Sequence, residues 1–242
     1  MIIHIPHSSY YIPEFLRSDI LLSESELEEN LFAFTDWKTD DLFSHGSFPN
    51  RVVYPVSRMV CDPERFRSDE DEPMAARGIG AVYTQDAFLR PLRKVDKVKR
   101  ELMLRMYYDP HHKRLTSAVE REIRHFGKCL LIDAHSFSGT PLPYEFQQSP
   151  DRPDFCIGTL ESNTPKALIV KAVNFLESSG FSVSLNVPYS GTMVPLKYYG
   201  DPRVNSIMIE INRKLYASGW KKASPNYQKI KNVIGQLLHM LS

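Results

Sequence analysis

Short apolar runs alternate along this chain with longer segments of helical period. Ile2–Ile5, closed by Pro6, reads as a first strand, Arg51–Val56 as a second and Cys129–Ile132 as a third. Phe155–Ile157 and Ile207–Ile211 follow as two more. Continuous apolar runs this short fit strands covered on both faces. Phe181, Val183 and Leu185 alternate with Ser182, Ser184 and Asn186, the pattern of a strand near a wet edge. The helical segments carry end signals. Ser23 with Glu26 forms a capping box ahead of Leu27 and Leu31. Thr164-Pro165 supplies an N-cap and a first-turn proline for a helix that Gly180 stops. Asp109-Pro110 opens another, with Leu115, Val119 and Ile123 on one face and Gly127 at its end. Ser224-Pro225 opens the last, with Ile230, Val233, Leu237 and Leu241 along its stripe. Strands alternating with helices predict one α/β domain over residues 1–242, its mainly parallel sheet covered by helices on both sides.

Composition narrows the class. The chain has 242 residues, 42% hydrophobic and 24% charged, enough to build a core without disulfides or a structural metal. Thirty basic residues against 29 acidic leave a net charge of +1, so no field favours nucleic acid or an anionic membrane. The basic stretch Arg90, Arg93, Lys94, Lys97, Lys99 and Arg100 reads as a solvated helix face. Cys61, Cys129 and Cys156 are odd in number, widely spaced and without a CxxC motif, as expected of buried free thiols in a reducing compartment. Met1–Pro6 has no basic region ahead of its apolar residues, and no segment approaches the roughly 18 apolar residues of a membrane span. The cytoplasm is the expected location.

In sheets of this kind ligands bind beyond the carboxyl ends of the strands, which directs attention to the polar residues there. His7 follows Ile2–Ile5 and Pro6, His135 follows Leu130-Leu131-Ile132, and Glu210 sits inside Ile207–Ile211. An unpaired carboxylate in such a run is costly to bury. Two imidazoles at one sheet edge suit a zinc ion, which needs a third protein ligand and an open position. Asp36 is a candidate third ligand, and Glu210 a candidate proton acceptor. There is no HExxH motif or compact Cys/His cluster, and spacing alone favours hydrogen-bonded structural histidines over a metal site.

Taken in order, several segments resemble the N-formylglutamate amidohydrolase family over nearly the whole chain. They are Ile5-Pro6-His7-Ser8, Thr35-Asp36-Trp37, Ser57 through Arg65, Leu131 through Ser136, Pro153 through Thr159, and Ile209-Glu210. The resemblance implies a zinc-carboxypeptidase-like fold, with a mixed, mainly parallel sheet between helices. It implies zinc held by His7, Asp36 and His135, with Glu210 as general base. It also implies a small-molecule carboxylate substrate: Asp62-Pro63-Glu64-Arg65 matches the family's Asp-Leu-Asn-Arg, whose Arg grips a substrate carboxylate. Arg65 is then the anchor, since a planar guanidinium fork binds both oxygens at once. Glu64 departs from the family's Asn, and a carboxylate facing the pocket there would repel a second substrate carboxylate. Asp109-Pro110-His111-His112 stands where the family reads Pro-Tyr-His. His112 matches the last of these and, with Arg58, is a candidate for stabilising the oxyanion or binding substrate. The expected activity is zinc-dependent hydrolysis of a small N-acyl amino acid such as N-formylglutamate. A zinc carboxypeptidase or another N-acyl-amino-acid deacylase is the enzymatic alternative. A catalytically silent protein binding a small carboxylate or a partner is the alternative of another class.

Overall fold

A computed structural model describes residues 1–44 and 50–242. Six strands, β1 (Ile2–Ile5), β2 (Arg51–Val53), β3 (Cys129–Phe137), β4 (Phe155–Gly158), β5 (Val183–Leu185) and β6 (Val204–Asn212), form one sheet in the order β2-β1-β3-β6-β4-β5. β2, β1, β3 and β6 run parallel, and β4 turns antiparallel to β6 while pairing parallel with β5. The sheet is therefore mixed and mainly parallel, as the pattern and the resemblance imply.

Strand alternation sorts the central residues onto two faces. Ile3, Ile5, Ile132, Ala134, Ile207, Ile209 and Ile211 point to one face, which the helices Lys166–Ser178 and Tyr227–Leu241 cover. Ile2, Leu131 and Val204 point to the other face and pack on Leu115, Ala118 and Val119 of the helix Asp109–Phe126. That second face stays apolar only at the amino half of the sheet. Toward the carboxyl half it carries His4, Asp133, His135 and Glu210, all buried.

Several boundaries differ from the pattern-based expectation. β3 continues through Asp133 and His135 to Phe137, because β6 pairs with it along that whole length whatever its side chains are. β2 stops at Val53, two residues before Pro55, which has no N–H for a ladder. The capping box at Ser23 and Glu26 forms, with both reciprocal hydrogen bonds. Thr164, by contrast, caps nothing: its Oγ1 accepts from Leu160 N–H and donates to Ser206 O, and the helix opens on Pro165 without a side-chain cap. Ser224 likewise makes no N-cap; the last helix starts at Tyr227 after an uncapped Asn226. No new helix starts at Asp109. The helical path begins at Lys97 and passes through a π turn, Leu104–Tyr108, that shifts the hydrogen-bond phase just before Pro110, which has no N–H to give. Gly127, at φ +73°, ends the helix as expected. In the basic stretch only Lys97, Lys99 and Arg100 lie on a helix, and Arg93 is buried with Nη2 donating to Met59 O. Cys61, Cys129 and Cys156 are free and buried.

Candidate functional site

The polar carboxyl half of the second face opens on a cavity of about 620 Å³ lined by His7, Asp36, Arg58, Glu64, Arg65, His135 and Glu210 among others. His135 and Glu210 are register partners on β3 and β6, so the sheet itself sets them side by side. His7 arrives from the turn after β1. Its carbonyl accepts the backbone N–H of Asp36, joining the two segments. The Asp36 segment is fixed from below: Arg213 donates to the carbonyls of Phe32, Ala33 and Thr35, and the Tyr216 hydroxyl to the Trp37 carbonyl.

The structure brings His7, Asp36 and His135 together, with one donor atom from each within 4.8 Å of the others and all three residues buried. Asp36 Oδ2 lies 3.1 Å from His135 Nδ1 and 3.7 Å from His7 Nδ1. Tetrahedral zinc, with bonds of about 2 Å, would set donor–donor separations of roughly 3.3 Å. Both imidazoles turn Nδ1 to the shared point and Nε2 to outer carboxylates. His7 Nε2 meets Asp62 Oδ1 at 2.8 Å, and His135 Nε2 faces Glu64 Oε2 at 3.0 Å and Asp133 Oδ1 at 3.2 Å. The Asp62 carboxylate bonds His7 Nε2 in the manner that fixes the tautomer and orientation of a metal-binding histidine, whereas His135 Nε2, although close to two carboxylates, makes no hydrogen bond among the described residues. Among the described residues, His7 Nδ1, His135 Nε2, Glu64 Oε1, Arg65 Nε and Glu210 Oε2 belong to the buried side-chain atoms with no hydrogen-bond partner. Such orphaned atoms are costly in a finished protein site. Two imidazoles, one carboxylate and unpaired donors fit a divalent cation.

Electrostatics agrees with the geometry. Burial alone would push protons off His135 and onto the acids. Around His135, Glu64 and Asp133 outweigh burial and hold its pKa well above the usual histidine range. Asp62 stays well below the carboxylate range because Arg58 and His7 outweigh its burial. Glu210 goes the other way. Burial dominates, and its pKa rises to about 8 against the pull of His135 and Arg58.

Arg58 spends Nε and Nη2 on Asp62 and also donates from Nε to the Tyr83 hydroxyl. Arg65 lines the cavity and makes no side-chain hydrogen bond among the described residues. Its Nε is a buried orphan, and Glu72 stands 3.9 Å from Nη1. His112 is placed differently. It lies outside the cavity lining, with Nε2 2.8 Å from the Pro63 carbonyl oxygen, where it braces the loop that carries Glu64 and Arg65. Its neighbour His111 points inward to His4, with the two Nε2 atoms 2.8 Å apart, and His4 Nδ1 meets Asp133 Oδ1 at 2.8 Å.

Sequence reasoning gave no role to Asp62, Asp133, His4 or Tyr189. Asp133 had a usable signal, being two residues from His135 and so on the same strand face. Asp62 had one in its place between Arg58 and Arg65. Tyr189 reaches the cavity on the 188–190 loop, which no local pattern marks.

The family described as N-formylglutamate amidohydrolase matches residues 1–217. An N-formylglutamate deformylase from Pseudomonas putida is 26% identical over 227 residues, covering 89% of this chain and 81% of that protein. A crystal structure of an N-formylglutamate amidohydrolase from Ralstonia eutropha superposes with a TM-score of 0.84 at 22% identity, over 99% of this chain and 92% of the other. A gene product of Agrobacterium tumefaciens gives 0.70 at 19%, over 100% and 88%. The two structural likenesses bear on the fold.

Proposed function

This chain belongs to the N-formylglutamate amidohydrolase family, and from that premise we propose that it hydrolyses the amide bond of a small N-acyl amino acid as a zinc-dependent enzyme. The observation that carries the reading is the meeting of three buried donors, His7, Asp36 and His135, beside the unpaired carboxylate of Glu210 in one cavity. The relative from Pseudomonas putida, a deformylase of N-formylglutamate, supports the reaction class.

His7, Asp36 and His135 would hold the zinc, which when bound supplies a Lewis acid for the scissile carbonyl and makes water a nucleophile near neutral pH. Glu210 takes the proton of the attacking water and returns it to the leaving amine. Its burial suits both steps, because a carboxylate with raised proton affinity accepts and releases a proton near neutrality. Arg65 seats the substrate carboxylate in its planar fork and so fixes the carbonyl in place. Arg58 Nη1, which makes no hydrogen bond among the described residues, is the donor for the developing oxyanion. Losing one such donor costs roughly 3–4 kcal/mol of transition-state stabilisation. A cytoplasmic location belongs to the same proposal, since three buried free cysteines suit a reducing compartment. No helix among the described residues is long and apolar enough to cross a membrane.

The test is release of amine from N-formyl and N-acetyl amino acids and dipeptides by the zinc-loaded protein. N-acyl amino acids should turn over, and Glu210→Gln should lower kcat about 10²–10⁴-fold while leaving substrate binding intact. Turnover confined to dipeptides would make the protein a carboxypeptidase. Binding without turnover of any compound would leave a silent carboxylate-binding protein.

A further inference from the structure

The cavity wall carries a hydroxyl that the protein itself does not use, and on the reading of the site as an amidohydrolase centre that group has a task. Tyr144 and Tyr189 both line the cavity. Tyr189 donates its hydroxyl proton to Glu145 Oε1 at 2.8 Å and accepts from Arg152 Nη1 at 3.2 Å. The Tyr144 hydroxyl makes no hydrogen bond among the described residues, although the residue is only 7% exposed. Its ring lies in an apolar cluster with Leu27, Phe34, Met59 and Met74, a place that a phenylalanine would fill as well. Buried tyrosine hydroxyls ordinarily find a partner. This one is left to whatever occupies the cavity.

The side chain is fixed at both ends. The Tyr144 carbonyl, with those of Pro143 and Glu145, accepts from Arg77 Nη1. Gln148 Nε2 donates to the Leu142 and Glu145 carbonyls, and Arg152 clasps the Glu145 carboxylate. The Tyr144 ring packs on Phe34 with centroids 5.2 Å apart, and Phe34 packs on Tyr83 at 5.1 Å. The Tyr83 hydroxyl accepts from Arg58 Nε at 2.9 Å. Phe34 therefore ties Tyr144 to the group that holds Arg58, and of the charges acting on the Tyr144 hydroxyl Arg58 is the strongest. Burial raises the pKa of that hydroxyl against the pull of Arg58, so it stays neutral and keeps a proton to donate. Arg58 is itself held through Nε and Nη2 by Asp62, which leaves Nη1 for the cavity. Donors fixed in advance where charge will develop need no reorganisation when the reaction occurs.

We infer that Tyr144 is a catalytic residue: its hydroxyl donates a hydrogen bond to the scissile carbonyl oxygen alongside Arg58 Nη1, and that bond strengthens as the oxygen becomes an oxyanion. Tyr144→Phe removes an oxygen atom that holds nothing in the protein, so Tm and zinc stoichiometry should match those of the wild type. With N-formyl-L-glutamate and the zinc-loaded protein, kcat should fall about 10²-fold while KM moves less than about threefold. A tetrahedral mimic, N-methylphosphonyl-L-glutamate, should lose affinity by roughly the same factor as kcat. N-formyl-L-glutamate itself should bind Glu210→Gln nearly equally with and without the Tyr144 change. A variant with wild-type kcat overturns the inference and leaves the hydrolytic reading standing. A raised KM at unchanged kcat also overturns it, because the hydroxyl would then serve the bound substrate and the transition state alike. A lowered Tm or lost zinc in Tyr144→Phe makes the hydroxyl structural and has the same consequence. A wild type that turns over no N-acyl amino acid sinks the hydrolytic reading and this role together.

Discussion

Glu210 holds its proton to about pH 8 because it is buried, with Asp36 and Glu64 adding to that effect and His135 and Arg58 opposing it. A group whose folded pKa is raised contributes stability that is complete below its unfolded pKa, near the ordinary value of 4.5, and is lost as pH rises through the folded one. The chelator-treated protein should therefore lose stability between about pH 5 and 8. Glu210→Gln, which has no charge to expose, should be flatter over that window. Urea unfolding of both proteins at a series of pH values measures the difference, and superimposable pH profiles would mean that Glu210 is not strained in this way. The principal residues of this site were legible in the sequence for a physical reason. His7, His135 and Glu210 each end or interrupt an apolar run, where a polar group is too costly to keep without a task. Their supporting groups were not. Asp62 acts on His7 across 55 positions and Asp133 on His4 across 129, contacts that exist only once the chain has folded.

Among the elements, β4 and the loop around Tyr189 are the most closely fitted. A Cβ on Gly158, at the end of β4, would collide with the backbone carbonyl of Gly191 and with the Met208 side chain. Gly158→Ala should destabilise the protein by about 1–3 kcal/mol, the usual cost of overpacking. It should also raise KM, because the displaced loop carries Pro188, Tyr189 and Ser190 into the cavity lining. Thermal unfolding and steady-state kinetics report the two effects separately. An unchanged KM together with lost stability would disconnect that loop from substrate binding. Strand existence was readable from apolar runs, and the edge position of β5 from its alternation. Strand length was not. A strand accepts polar residues once a neighbour pairs with it along its length, as β6 does with β3 through Phe137. The helix Asp109–Phe126 likewise looked like a fresh start at Pro110, because the π turn that accommodates the proline leaves no local signature in the residues.

At the scale of the molecule, the sheet works as a sorting device. One face is largely apolar and bears the helices Lys166–Ser178 and Tyr227–Leu241, which commits that side to stability. The other face divides into an apolar amino half under the helix Asp109–Phe126 and a polar carboxyl half that opens on the cavity. The four parallel strands β2, β1, β3 and β6 all deliver their carboxyl ends to one edge, where parallel α/β sheets place their ligands. The polar half of that face gathers His7, Asp36 and His135 in a buried group where a small cation would find its donors. That cation would sit between His7, Asp36 and His135. Zinc titration of chelator-stripped protein against a competing chromophoric chelator tests it most directly. One tight equivalent per chain, lost in each of His7→Ala, Asp36→Ala and His135→Ala with the fold retained, is the predicted result. Failure of the wild type to bind zinc tightly, or a full equivalent persisting in any of the three variants, would contradict it.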